Sequence, residues 1–154
     1  MTESSSPGRS ARPAELADHP LVITLPVQWG DQDSFGHVNN VVYFRWMESA
    51  RIEYFLLADF GTSSNNQGTG PILASLKCDF RRQMRFPDQV LVSASVVSIG
   101  RTSLKMHHRV YSTAQQAITA EGDSVLVMFD YLTQQPVPVS EAIRAKIGTV
   151  ENRP

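Results

Sequence analysis

From Leu21 the chain alternates. Leu21, Ile23, Leu25, Val27 and Trp29 fall on one face, with Thr24 and Gln28 on the other, the period-2 signature of a half-buried strand. Pro26 cannot donate to a ladder, so this strand is expected at a sheet edge or beside a bulge. A polar turn from Gly30 to Gly36 follows, and then a segment from about Asn40 to Phe60 with a helical pattern. At about 100° per residue, Tyr43, Trp46, Met47, Ala50, Tyr54, Leu57 and Ala58 share one broad face, opposite Arg45, Glu48, Ser49 and Glu53. Ile52 and Leu56 interrupt the polar side. A helix this apolar calls for enclosure, and a sheet curling round it would provide that.

The stretch GTSSNNQGTG at 61–70 has loop composition, and the remainder reads as successive strands. Ile72, Ala74, Leu76, Cys78 and Phe80 alternate with Ser75, Lys77, Asp79 and Arg81, and a turn at Phe86-Pro87-Asp88 leads to Val90, Val92, Ala94 and Val96. Gly100-Arg101 punctuates. Runs at Leu104–Tyr111 and Ala117–Leu132 follow, separated by a polar break at 112–116, with a bulge expected at Gly122. Short connections imply antiparallel hairpins, because parallel neighbours need crossovers of about a dozen residues or more. The pattern predicts an α+β domain in which an antiparallel five-stranded sheet packs on one long helix, with a short terminal helix at 140–147. Residues 1–20 are rich in Ser, Pro and charge and read as a flexible tail, 21–147 as the folded unit, and 148–154 as a C-terminal tail.

Composition narrows the function. With 154 residues there is room for one domain, and hydrophobic and charged shares of 42% and 19% are ordinary for a globular chain. The net charge of −1 supplies no field to hold DNA or RNA, so nucleic acid is not an expected partner. No apolar run approaches the roughly 20 residues of a membrane span, and the N-terminus lacks a secretory core; a cytoplasmic location is expected, with no membrane partner. The single cysteine, Cys78, excludes an internal disulfide and a multi-Cys metal cage.

The densest cluster of reactive groups lies between the first strand and the helix, in W29-G-D-Q-D-S-F-G-H-V-N-N-V-V-Y43. One reading is plain helix capping, with Asn39 or Asn40 as N-cap and glycines shaping the turn. The other is chemical. The first N–H groups of a helix have no internal partner and carry roughly +0.5 charge, so they can hold a developing oxyanion. A carboxylate a few residues upstream faces the same point, and acyl transfer requires that pair.

The segment V27-Q-W-G-D-Q-D-S-F-G-H-V-N-N-V-V-Y-F-R-W-M-E-S-A-R51 resembles the hotdog-fold thioesterases of the 4-hydroxybenzoyl-CoA thioesterase type, and L76-K-C-D-F-R-R-Q-M-R-F-P-D88 resembles their second strand and turn. The resemblance implies a hotdog fold, a homodimer or homotetramer with sites between subunits, and hydrolysis of acyl-CoA to a free acid and CoA without metal or cofactor. It makes Asp33 the nucleophile or general base and the backbone N–H of Asn40 the oxyanion donor. His37, Tyr43, Arg101 and Thr102 are its substrate-binding candidates, Arg101 for the CoA end. Two other readings stay open: a non-hydrolytic hotdog protein that binds acyl thioesters, and a thioesterase acting on acyl-carrier protein.

Other residues are weaker candidates. Asp31 is expected to point away from Asp33 and serve structure, and Glu48 to pair on the helix surface with Arg45 and Arg51. Arg81 and Arg82 should face opposite sides of a strand, so that at most one meets a given ligand. His107 and His108 should diverge for the same reason, and Cys78 should be a buried, inert thiol.

Overall fold

The computed structural model describes residues 12–61 and 68–152. Strand β1 (Leu21–Pro26) leads through a 3-10 turn at Trp29–Asp31 into helix α1 (Asn40–Leu57). Four long strands follow, β2 (Thr69–Phe80), β3 (Gln89–Ile99), β4 (Ser103–Ser112) and β5 (Ala117–Asp130), then a two-residue β6 (Gln135–Pro136) and helix α2 (Glu141–Glu151). All pairings are antiparallel, in the order β1-β3-β4-β5-β2, with β6 beside β5. The five expected strands are therefore joined by a sixth, and β1 lies at the edge its proline demands, with Pro26 opposite Gln89.

The sheet curls round α1 because three sides of that helix are apolar. Tyr43, Trp46, Met47, Ala50 and Tyr54 are buried against Val90, Val92, Ala94 and Val96 of β3 and Leu104, Met106 and Val110 of β4. Gly122 of β5 pairs in register with His108 and Cys78, so the expected bulge is absent there; the register of β4 and β5 shifts at Val110/Tyr111 instead. The glycine answers a different need, since a Cβ built on it would stand 2.7 Å from the Met47 sulfur and 2.7 Å from the Lys77 carbonyl oxygen. The Met47 side chain of the helix fills the space a side chain at 122 would take.

Several expectations require correction. Helix α1 stops at Leu57 and not Phe60, as Asp59 takes the left-handed backbone (φ 53). Leu57 is 55% exposed with Ile52 and Leu56, whereas Arg51 is buried. Strand β2 begins at Thr69, inside the stretch with loop composition, whose residues 62–67 lie outside the described ones. Arg45 leaves Glu48 and reaches Asp31, so among the described residues Glu48 keeps only Arg51, at 4.0 Å. Cys78 is half-buried, and burial pushes its thiol up to about 11.

Parts of both expected tails are ordered. Residues 12–20 pack on the outer face of the sheet: Leu16 is fully buried with Val22, Leu91 and Tyr111, which form an apolar patch on that face. Arg109 binds the Glu15 carbonyl and the Asp18 carboxylate at 2.9 and 2.6 Å, and His19 Nδ1 meets Ser93 Oγ at 2.7 Å. Residues 1–11 of the expected tail lie outside the described residues. At the other end α2 runs on to Glu151, whose carboxylate accepts from the Tyr54 hydroxyl and the Val96 N–H, both at 2.7 Å, beyond the end of β1 on the β3 edge. The expected C-terminal tail is thus helix as far as Glu151, and residues 153–154 are not described.

The adjacent histidines do diverge. His107 turns outward to Asp123 at 3.0 Å; His108 points inward, with Nδ1 3.2 Å from the Ser93 carbonyl and Nε2 2.9 Å from Ser124 Oγ. A carbonyl only accepts, so Nδ1 carries the proton and Nε2 accepts from the serine hydroxyl, the pattern of a neutral ring.

Two predictions come from this packing. Burial, then Arg109, pushes His19 from 6.5 down to about 4; burial, then Arg51, pushes His108 from 6.5 down to about 3. The unfolded chain takes up both protons below pH 6.5 and the folded chain does not, so stability is lost as pH falls from there toward 3. By pH 5 each histidine costs about 2 kcal/mol, and urea midpoints at pH 7 and pH 5 will show the drop, with a smaller drop in His108→Asn. Gly122→Ala is expected to destabilise the fold by about 1–3 kcal/mol in the same assay. Adding Met47→Ala does not rescue the variant, because the Lys77 carbonyl stays in place and the fully buried Met47 side chain is itself lost from the core.

Candidate active site

The turn that precedes α1 is held from below by one buried carboxylate. Asp31, 5% exposed, accepts the Gln28 N–H on Oδ2 and Arg45 Nη2 on Oδ1, each at 2.8 Å. Its carbonyl oxygen takes the Asn39 N–H at 2.9 Å. One residue therefore ties the 3-10 turn, the second turn of α1 and the residue before α1 into a unit, and Asp31 turns away from Asp33 as expected.

Above this anchor the chain folds back on itself. Gln32 bridges to Val38, the Asp33 N–H donates to the His37 carbonyl at 2.9 Å, and the Gly36 N–H donates to the Asp33 carbonyl at 3.0 Å. Gly36 holds φ 78, a conformation that L side chains rarely adopt. The hairpin is strapped to the β2–β3 connection by the Val38 N–H on the Met84 carbonyl at 2.8 Å and the Phe86 N–H on Gln32 Oε1 at 3.2 Å. Asp33 sits at its tip, exposed, with Oδ1 accepting the Phe35 N–H at 2.9 Å. That turn orients the carboxylate through one oxygen and leaves Oδ2 without a partner among the described residues.

Helix α1 opens beside it. Asn39 is the N-cap, in extended backbone, and its side chain accepts the Val41 N–H at 3.1 Å. Among the described residues no acceptor takes the N–H of Asn40. Asp33 and Asn40 line one cleft of about 330 Å³, closed on one side by Val38, Tyr43 and Phe80. Tyr43 packs edge-on against Phe80 at 5.1 Å; burial, with Cys78 and Asp88 nearby, pushes its hydroxyl up to about 12, so it keeps its proton. His37 lines the same cleft and meets Arg85 Nη2 through Nε2 at 3.2 Å. Because a guanidinium only donates, that nitrogen is the acceptor in this contact.

Of the six sequence-derived site residues, the fold brings Asp33, Asn40, His37 and Tyr43 to this cleft and leaves Arg101 and Thr102 off it. The last two occupy the β3–β4 turn, where their carbonyls accept the Val139 and Met128 N–H groups at 2.8 Å. Both Arg81 and Arg82 line the cleft, against the expectation of one at most. Strand β2 ends at Phe80, and beyond it both arginine N–H groups donate to the Thr119 carbonyl, so strand alternation no longer applies. Phe80 and Gln83 also line the cleft and carry no sequence signal of it; only the meeting of β2 with α1 places them there. No group of three His, Cys, Asp or Glu side chains among the described residues is placed to hold a metal ion.

Comparison with known proteins agrees with this architecture. A family model described as the Thioesterase-like superfamily matches residues 27–147. A thioesterase from Thermus thermophilus, solved with coenzyme A and zinc, is 34% identical with a TM-score of 0.79, over 89% of this chain and 98% of that one. The PA2801 protein from Pseudomonas aeruginosa is 30% identical with a TM-score of 0.73, over 84% and 98%. Protein YsmA of Bacillus subtilis is 33% identical over 84 residues, and the match spans little more than half of either protein, 54% of this chain and 56% of YsmA. The hotdog fold and the family match together place the chain in a group: it belongs to the Thioesterase-like superfamily.

Proposed function

We propose that this chain is an acyl-CoA thioesterase that releases a free carboxylic acid and CoA, with Asp33 as nucleophile or general base. The observation that carries this reading is the placement of a partly free carboxylate and an unclaimed helix-terminal N–H on the same cleft. The thioester carbonyl seats with its oxygen toward the Asn40 N–H, where the positive end of α1 stabilises the charge that develops on attack. Asp33 either attacks the carbonyl carbon, expelling the thiolate and leaving a mixed anhydride that water then hydrolyses, or takes a proton from a water that attacks in its place. In both cases the C–S bond breaks and the departing thiolate gains a proton, from solvent or, on the water route, from the protonated Asp33. His37 and the buried, protonated Tyr43 shape the wall behind that carbonyl. The coenzyme A held by the Thermus relative supports a CoA thioester as the substrate class.

A second copy completes the site in this reading. Strand β2 is a 12-residue sheet edge, and Ile72 and Leu73 on it are 38% and 41% exposed, with Ile52 and Leu56 of α1 at 50% and 53%. A long, exposed apolar edge is a template for another strand, and homodimerisation through β2 would cover it. The cleft opens at the end of that same strand, so the partner supplies its far wall. Arg101 and Thr102 reach the CoA end only if they act across such an assembly.

Two measurements test these statements. Thiol release from an acyl-CoA turned over by the wild type is expected to fall about 10²–10⁴-fold in kcat for Asp33→Ala. Full activity in that variant removes Asp33 from the mechanism. Leu73→Lys combined with Ile52→Glu is expected to shift the protein to a monomer in sedimentation velocity and to lower activity with it. An unchanged sedimentation coefficient places the interface elsewhere.

A further inference from the structure

Three guanidinium groups stand within five positions of one another at the cleft: Arg81 and Arg82 line it, and Arg85 touches its His37. Their counter-charges are unequal. Arg81 is bound to Glu121 Oε2 by Nε at 2.9 Å and Nη2 at 2.6 Å. Glu121 also serves Arg109 at 3.3 Å and stands 3.6 Å from His107 Nε2. Arg85 meets His37 Nε2 and no carboxylate among the described residues. Arg82 makes no side-chain hydrogen bond or ion pair with any described residue. Asp88, six residues further on, is committed to the N–H groups of Gln89 and Ala114 and to the Ser112 hydroxyl.

This leaves a positive charge without an internal partner beside a cleft whose other wall is apolar, Val38, Tyr43 and Phe80. A guanidinium without a counter-charge at the rim of a cleft attracts an anionic group on whatever binds there. A guanidinium presents a planar fork of donors that fits an oxyacid group, carboxylate or phosphate. Asp33 holds its own negative charge at the reacting end, so an anionic group on the ligand is driven away from Asp33 and toward the arginines.

The geometry points to Arg82, assisted by Arg85, as the element of the cleft that recognises a fixed negative charge on the substrate. This assignment rests on the thioesterase reading and refines it: the preferred substrate carries an oxyanion within reach of the cleft. Two sources share that chemistry, a carboxylate at the far end of the acyl group and a phosphate of CoA. In either case Arg82 selects substrates and takes no part in bond breaking.

Four thioesters separate the sources: hexanoyl-CoA, adipoyl-CoA and the two matching pantetheine thioesters, which lack phosphate. A charge-assisted hydrogen bond lost on Arg82→Gln lowers kcat/KM about tenfold to a hundredfold for the substrates that carry the recognised charge, through KM with little change in kcat. Arg82→Glu lowers it further, and raised salt narrows the difference between wild type and variant. A loss confined to the adipoyl pair assigns the charge to the acyl tail; a loss confined to the CoA pair assigns it to phosphate. An equal loss on all four, or none, overturns the assignment, and Lys105→Gln, on an exposed position of β4, serves as the control that alters neither pattern. Titration calorimetry of the same compounds on the Asp33→Ala protein gives a readout independent of turnover. If no thioester is hydrolysed by the wild type, the hydrolytic reading fails, while the charge preference in binding still decides the role of Arg82.

Discussion

A helix that is apolar round most of its circumference cannot stand at a surface, and the rest of this structure follows from covering α1. Tyr43, Trp46, Met47, Ala50 and Tyr54 occupy more of the helix than the single side a flat sheet can meet, so the sheet curls round it. The contact is close enough to need a glycine at 122, where Met47 and the Lys77 carbonyl occupy the space of a side chain. Where the sheet does not reach, other pieces do: α2 carries Glu151 to the hydroxyl of Tyr54, and residues 12–20 seal the apolar patch on the opposite face of the sheet.

The same constraint places the chemistry. A helix sunk in a sheet exposes its first turn only at the sheet's rim, and the chain must climb from β1 to that rim within a short turn. Asp31 makes the climb rigid by binding Gln28 and Arg45 with one carboxylate. Because Arg45 belongs to α1 itself, the turn is fixed to the helix that it introduces. The hairpin tip carrying Asp33 and the N–H of Asn40 consequently keep one relation to each other. An exposed carboxylate held this way gains its position from buried neighbours and not from its own packing.

Much of this is legible in the sequence, and the parts that are not share a cause. Alternation marks the strands, and the 3.6-residue period marks α1, because both patterns are local consequences of which face meets the core. The Asp33–Asn40 cluster is legible because a turn before a helix start is also local. Residues 12–20 escape such a reading because the partners that order them, Leu91 on β3 and Tyr111 on β4, lie far along the chain. Helix spacing pairs Arg45 with Glu48, whereas a buried carboxylate 14 residues upstream wins it. The strand rule for Arg81 and Arg82 fails at the end of β2, where the backbone leaves the ladder. Arg101 and Thr102 come from a family resemblance, and within one chain they stand apart from the cleft.

The central claim is that the substrate carbonyl seats at the start of α1, opposite Asp33. Amide resonances of the Asp33→Ala protein, followed by two-dimensional ¹H–¹⁵N spectroscopy while an acyl-CoA is added, report on this directly. The account predicts a saturable downfield shift of the Asn40 amide proton as it becomes a hydrogen-bond donor, with the largest changes among the residues of the Asp33–Tyr43 segment. An Asn40 amide that stays in place while residues elsewhere respond to saturating ligand would contradict it.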